Sequence, residues 1–460
     1  MSAEWRKFNL GDLTDWSSGG TPSKKNTEFW IGTIPWISAS SMRSTRYSES
    51  ELKITPEGLK SGSRLAPMGS ILLLVRGSIL HQKIPVGITT RDVAFNQDVK
   101  AIQIKRHLVD SEVIDNWYLF YWFKANEKLL LSIVESTGIG AGKLDTKQLQ
   151  GLEVDVPSWG EQQQIVACCK AIEEKEIINA QINQTLEQIA QAIFKSWFVD
   201  FEPVKAKIAA LEASGSQDDA LLAAMQVISG KDPQQLTQLQ TDNPEHYATL
   251  RATAELFPAA MQESELGEIP EGWEASTVGA EFDVTMGQSP PGSSYNESGE
   301  GSVFFQGRRD FGVRFPSNRV YCTEPKRMAK QGDTLLSVRA PVGDVNIASA
   351  GCCIGRGLAA IRHKTGCSSF TYYSVIHLGH ALASYDSEGT VFGSINQKNL
   401  NSLLVIAPTK KALEIFSNIV GKLDDRIKAQ SNEMLALAEL RDTLLPKLLS
   451  GELSVNQDVE

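Results

Sequence analysis

Leu72-Leu73-Leu74-Val75-Arg76, three residues after Gly69, decides how this chain is built, because it returns as Leu335-Leu336-Ser337-Val338-Arg339, three residues after Gly332. Each copy is a short apolar run entered through a glycine, the pattern of a buried strand behind a turn. Upstream, Trp5, Gly11, Gly19 and Pro22 recur as Trp273, Gly279, Gly287 and Pro290, and Arg46-Tyr47 faces Arg314-Phe315, all at an offset of 268. Downstream, Gly138, Gly142, Lys147, Leu149, Val154 and Pro157 match Gly389, Gly393, Lys398, Leu400, Val405 and Pro408 at an offset of 251. Three blocks in fixed order mean two copies of one domain, each followed by its own helix. Two such domains suit a partner that itself has two-fold character, and duplex DNA is the commonest one.

A chain of 460 residues has room for about three domains with real cores. Its apolar and charged fractions are those of a soluble globular protein. Apolar runs stay short of the ~18 residues of a membrane span, and Met1-Ser2-Ala3-Glu4-Trp5-Arg6 is no signal peptide. The six cysteines include the adjacent pairs Cys168-Cys169 and Cys352-Cys353 and no CxxC, which reads as reduced thiols in a cytoplasm. The net charge of −10 is segregated. Residues 201–268 hold eleven acids against four bases, whereas residues 303–398 hold twelve bases against six acids. A basic domain is what phosphate attraction requires, although a modest excess also describes a solvated surface.

After Pro157 and Pro408 long helical patterns begin. In the first, Ile165, Ile172, Asn179, Leu186 and Ile193 form one seam, with Cys168, Lys175, Ile182 and Ile189 as its companion. In the second, Leu413, Val420, Ile427, Met434 and Arg441 run beside Phe416, Leu423, Gln430, Leu437 and Leu444. Alternating spacing of three and four is the coiled-coil signature. Helices of about 36 residues span ~54 Å. An antiparallel pair brings Asn179 to Gln430, whose amides can satisfy each other and fix register. The expected architecture is α/β (α+β): two pseudo-repeated globular domains separated by two long antiparallel coiled-coil helices. The domains fall at 1–158 and 269–408, the helices at 159–202 and 409–451, and a short tail at 452–460. Residues 203–268, which have no second copy, read as an acidic linker of short exposed helices or partial disorder.

Catalytic motifs fail on inspection. Gly142-Lys143 is followed by Leu144 and preceded by Thr137 where a phosphate loop needs glycine. Asn243-Pro244-Glu245-His246 matches an amino-methyltransferase loop only in its first two residues. His377 and His380 could share a helical face as metal ligands, but a packed pair is the plainer reading, so no metal is expected.

In a duplicated binder, shared features hold scaffold or phosphate and divergent features read sequence. The shared cations are Arg46/Arg314, Arg76/Arg339 and Lys147/Lys398, assigned to backbone contact or to internal ion pairing. The divergent positions are Ser38/Gln306, Ser40/Arg308, Ser41/Arg309 and Arg43/Phe311. Arg308 or Arg309 could read guanine and Gln306 adenine, at ~1–3 kcal/mol of discrimination each; a solvated loop that happens to vary is the bland alternative. Phe194, Trp197, Phe198 and Phe201 cluster at the end of the first helix, either as core or as a docking surface.

Taken together, the duplicated domain and several local motifs resemble the specificity subunit of type I restriction–modification systems. The motifs are Ile269-Pro270-Glu271-Gly272-Trp273, Glu161-Gln162-Gln163, Lys195-Ser196-Trp197-Phe198-Val199-Asp200-Phe201 and Leu444-Leu445-Pro446-Lys447-Leu448-Leu449-Ser450-Gly451-Glu452-Leu453. The likeness covers nearly everything except 203–268; the first copy has Ser2-Ala3-Glu4-Trp5 where the second has Pro-Glu-Gly-Trp. The resemblance implies two target-recognition domains, each reading half of a split, asymmetric site on double-stranded DNA, with the helices as a ruler. It implies two modification subunits that methylate adenine with S-adenosylmethionine, and restriction subunits that use ATP and Mg. This chain would then hold no cofactor and catalyse nothing alone. The competing reading is a coiled-coil adaptor that joins two protein partners without touching DNA. A complete methyltransferase fails for want of a cofactor loop.

Overall fold

A computed structural model describes residues 5–136, 140–387 and 393–455. Gly138 and Gly389 of the third repeat block lie outside them. The chain divides into two compact units, Met1–Ala180 with Ser431–Glu460, and Gln181–Gln430. Each unit therefore holds one repeat, part of the helix that follows it, and part of the other long helix.

In the first unit the repeat is closed by its own ends, Arg6–Asn9 pairing antiparallel with Glu153–Val156. One sheet runs in the order Thr14–Ser18, Val99–Ile104, Ile71–Leu74, Val86–Thr89 and Arg46–Tyr47. The apolar run after Gly69 forms the strand Ile71–Leu74 inside it, with all four residues buried, and Ile102 faces Ile71. A second sheet orders Lys53–Ile54, Ile34–Ile37, Val93–Phe95 and Arg64–Ala66. The helix Asn116–Ala125 buries Tyr118 through Phe123 without a break. Such all-round apolarity is what a helix surrounded by core shows.

The second unit repeats this plan. Glu274–Thr277 pairs with Leu404–Ala407, and the sheet order is Phe282–Met286, Leu358–His363, Thr334–Ser337, Val345–Ile347. The matched glycines have physical reasons. Gly69 and Gly332 hold φ of +84° and +82°, which a β-carbon disfavours. A β-carbon at Gly19 would meet the Phe95 carbonyl oxygen at 2.1 Å, and one at Gly287 would meet that of Gly355 at 2.1 Å.

Two helices of forty residues follow the repeats, Trp159–Phe198 and Lys410–Leu449. Within each unit their segments run antiparallel. In the first unit Glu176 pairs with Arg441 at 3.0 Å, and Ile165 and Cys169 join Leu445 and Leu448 in one core. In the second, Ala190 and Phe194 share a core with Leu413, Phe416 and Val420. The companion seam of the first helix differs from the expected one. Lys175, Ile182 and Ile189 are exposed, whereas Gln162, Cys169, Asn179 and Ala190 are buried. The second helix explains this: Leu413, Val420, Ile427, Met434 and Arg441 map at 251 onto Gln162, Cys169, Glu176, Asn183 and Ala190, a line too polar to read as a seam.

The stretch expected to be a linker is helical. Glu202–Ser214, Gln217–Ser229, Pro233–Asp242 and Pro244–Glu255 form four helices. Ala224, Met225, Leu236, Leu250 and Ala254 give three of them a small core of their own. Caps at Ser216, Asp232 and Asn243 start the last three. Ala220, Ala224 and Ala254 are buried at the close-packing positions. No described helix is long and apolar enough to cross a membrane.

Candidate nucleic-acid interface

The divergent loop of the second repeat follows the strand Ser302–Phe305 and turns through a single 3-10 turn, Arg308–Asp310. Asp310 is its anchor. Its carboxylate is 3% exposed as a residue, accepts from the Gln306 backbone N–H at 2.8 Å and pairs with Arg319 at 3.0 Å. Asn346 holds the far side, accepting from the Gly312 N–H at 3.0 Å and donating to the Gly312 carbonyl at 3.1 Å. The loop is thus fixed by side chains that point inward, which leaves Gln306, Arg308 and Arg309 exposed. Arg308 forms an ion pair with Asp344 across a solvated surface, a weak tie that a competing acceptor can displace. Arg309 has no ion pair or hydrogen bond among the described residues.

The matching loop of the first repeat has spent its polar groups on itself. The Ser41 hydroxyl accepts from the Ser38 N–H at 2.8 Å and donates to the Ser38 carbonyl at 3.0 Å. The hydroxyls of Ser38 and Ser40 lie 2.9 Å apart, and the Arg43 Nε donates to the Ser40 carbonyl at 3.1 Å. Ser40 and Arg43 are the exposed members.

Four of the shared cations share a setting. Arg76 pairs along the backbone with Lys143, and Leu144 donates to the Val75 carbonyl; Arg339 bridges to Ser394, and Ile395 donates to the Val338 carbonyl. In both repeats that segment runs into a five-residue helix, Thr146–Gln150 or Gln397–Asn401, which carries Lys147 or Lys398. Arg76, Arg339, Lys147 and Lys398 are all exposed. None has an ion pair among the described residues.

Arg46 and Arg314 do not belong with them. Arg314 is 4% exposed and is paired with Asp424 at 2.5 Å and with Glu187. Burial works to lower its pKa, and Asp424, Tyr373 and Glu187 outweigh that and raise it. Arg46 pairs with the buried Glu173 at 3.3 Å and lies over the Trp117 ring at 5.2 Å. Of the two readings open for these arginines, internal pairing holds and phosphate contact is corrected: their charge is already neutralised inside the fold. The partners were missed, yet Glu173 and Asp424 sit at the same offset of 251 as the helices that carry them.

Two further expectations are corrected. Phe194, Trp197 and Phe198 are core, packed against Phe416, Phe370 and Phe257 with Trp197 and Phe257 centroids 5.2 Å apart. Phe201 is half-buried beside Trp273. A docking surface cannot be built from side chains that hold the second unit together. Asn179 and Gln430 are each buried, but neither side-chain carbonyl has a hydrogen-bond partner among the described residues, so the expected satisfaction of both amides is not found. The Asn179 amide donates instead to Glu433 at 2.8 Å, because a carboxylate is the stronger acceptor.

His377 and His380 gather no third ligand; the described residues contain no group of three or more metal-binding side chains. All six cysteines are free and five are buried. Burial pushes the Cys169 thiol up to about 12, away from reactivity.

Comparison with known proteins shows what this arrangement is similar to. Residues 2–188 match the family described as Type I restriction modification DNA specificity domain. The chain is similar along nearly its whole length to the type I restriction enzyme HindI specificity subunit of Haemophilus influenzae, at 27% identity over 98% of this chain and 100% of that one. The putative type I restriction enzyme MjaX specificity subunit of Methanocaldococcus jannaschii is 37% identical over 43% of this chain and 47% of its own. Among solved structures, the type I restriction–modification S subunit from M. genitalium shares the fold with a TM-score of 0.54 at 15% identity, over 97% of this chain and 96% of that one. A duplicated domain, each copy followed by a forty-residue helix, together with similarity over nearly the full length, makes this chain similar to the specificity subunits of type I restriction–modification systems.

Proposed function

We propose that this chain is the DNA-reading component of a type I restriction–modification complex, and that each globular domain reads one half of a split site. The observation that carries the reading is Arg309, an exposed arginine without a counter-ion among the described residues, on a loop anchored by the buried Asp310. A free guanidinium on a rigid turn is suited to a bidentate contact with guanine O6 and N7. Arg308 and Gln306 flank it as secondary readers. Ser40 and Arg43 hold the equivalent place in the first domain, which would give that half-site a different sequence. Arg76, Lys147, Arg339 and Lys398 are assigned to phosphates, which position without specifying.

The chain supplies recognition and no chemistry. Methyl transfer from S-adenosylmethionine, and cleavage driven by ATP with Mg, belong to two modification subunits and to restriction subunits that assemble on it in the cytoplasm. The long helices serve as the ruler between half-sites. The adaptor reading draws no support from the relatives to which the chain is similar. Mapping adenine methylation in cells that express this chain with its partners tests the proposal. A motif of two defined halves around an indifferent spacer is expected. An uninterrupted motif would overturn it.

A further inference from the structure

We propose that two buried triads, Arg46–Tyr121–Glu173 and Arg314–Tyr373–Asp424, are positioning devices that orient each reading domain on its long helix and so set the half-site spacing the protein accepts. The inference rests on the split-site reading above.

The two triads are the same device built twice. Tyr121 donates to Glu173 at 3.1 Å and Tyr373 donates to Asp424 at 3.2 Å. Each arginine comes from the strand-and-loop part of its repeat, each tyrosine from the buried aromatic helix, and each carboxylate from the long helix. Arg46 and Arg314 match at 268, and Glu173 and Asp424 at 251. The matching lengths of intervening chain differ, yet all three partners meet in both copies.

Stability alone does not call for such a group. Charges removed from water lose hydration that their attraction barely restores, and well-packed apolar residues of similar volume often do as well or better. An apolar contact, however, is non-directional and tolerates rotation, whereas a guanidinium meets carboxylate and phenol oxygens in one fork-like geometry. The second lock is the tighter. Arg314 reaches Glu187 on the first long helix as well as Asp424 on the second, whereas Arg46 has Glu173 and the face of Trp117.

Directionality matters here because DNA is graded finely. Each added base pair moves a half-site by ~3.4 Å and turns it by about a tenth of a helical turn. A domain that can tilt or twist on its helix would accept neighbouring spacings.

The test uses the complex of this chain with its modification partner and reads methylation at targets of graded spacer length. Two variants are compared with the parent: Glu173→Gln, which keeps volume, and Arg46→Met with Glu173→Leu, which removes both charges together. The half-site sequences should stay as they are, while methylation at spacers one base pair longer or shorter rises. Discrimination against those spacers should fall by about tenfold, the scale of one hydrogen bond net of competition with water. Uniform loss at every spacing, in a variant that unfolds at the parent temperature, would overturn the inference. So would failure of both variants to fold, since the triad would then be a plain requirement of the fold. A parent motif with no spacer at all would instead sink the split-site reading from which this inference starts.

Discussion

Tyr373 and Asp424 meet at 3.2 Å, and that hydrogen bond joins the aromatic helix of the second repeat to the long helix that follows it. Burial raises the Tyr373 pKa, so its hydroxyl remains a donor at every physiological pH. Arg314 completes the group and lies over the Tyr372 ring at 4.6 Å. Sequence reading gives an arginine common to both repeats two possible duties, phosphate contact or internal pairing, and only the packing decides between them.

Removal of Arg314 should therefore damage the second unit and not merely weaken DNA binding. Arg314→Met leaves Asp424 and Glu187 facing an apolar wall, 18% and 22% exposed as side chains. Stranding buried charges in this way costs about 3–5 kcal/mol. Urea unfolding of the full chain should show an early transition that the parent lacks. Addition of Asp424→Leu and Glu187→Gln should recover most of the loss. A parent-like unfolding curve for Arg314→Met alone would show that the buried pair is not made in solution.

Trp197 makes the parallel case for the aromatic cluster. It is 3% exposed and packs edge-on against Phe257 and Phe416. Trp197→Ala should cost about 3–5 kcal/mol through lost burial and the cavity left behind. Near-ultraviolet circular dichroism and thermal unfolding would register it. A variant that keeps full stability but loses its modification partner would restore the docking role that the packing denies.

Much of this was legible because the chain repeats itself. The buried strand at Ile71–Leu74 and the two long helices follow from apolar patterns read twice. The companion seam of the first helix was not legible, since Gln162, Glu176 and Asn183 are polar while the exposed Ile182 and Ile189 are apolar. Hydrophobicity is a poor guide where buried polar groups have specific partners, as Glu176 has in Arg441. The acidic insert has the short helices expected as one alternative, but their shared core was not legible. Its alanines bury little area each, and only the pairing of the helices makes a core of them. Of the site, Gln306, Arg308 and Arg309 lay among the divergent positions, but the buried anchor Asp310 did not.

Arg309 and Arg339 should separate reading from gripping. Arg309→Ala should relax sequence preference in one half-site, at about 1–3 kcal/mol for the lost base contact. Arg339→Ala should weaken binding to all sequences alike and reduce the salt slope by about one. Quantitative binding of the assembled complex to single-base variants, at several salt concentrations, distinguishes them. Equal loss on every sequence from both variants would move Arg309 to the phosphate group.

Glu176 and Arg441 carry the last expectation. At the offset of 251, Glu176 corresponds to Ile427 and Ala190 corresponds to Arg441, so one helix crossing is ionic where its counterpart is apolar. Ile427 and Ala190 are both buried in the second unit. Burial raises the Glu176 pKa more than Arg441 lowers it, so the carboxylate is held against its preference for water. A carboxyl whose folded pKa is raised binds its proton more tightly when folded, so its penalty is present at neutral pH. It is relieved as pH falls through the folded value toward the ordinary 4.5. Glu176→Ile with Arg441→Ala should thus match or exceed the parent at pH 7, by as much as about 1–4 kcal/mol. The gain should shrink as pH is lowered through the raised folded value toward the ordinary 4.5, where the parent is relieved. Making the two crossings alike should also weaken the rule for which helix segment pairs with which, as buried polar groups in helix seams specify pairing at a cost in stability. Sedimentation should therefore find the double variant more prone to self-association. A double variant less stable than the parent at pH 7, and monomeric, would mean that the ion pair stabilises this crossing outright.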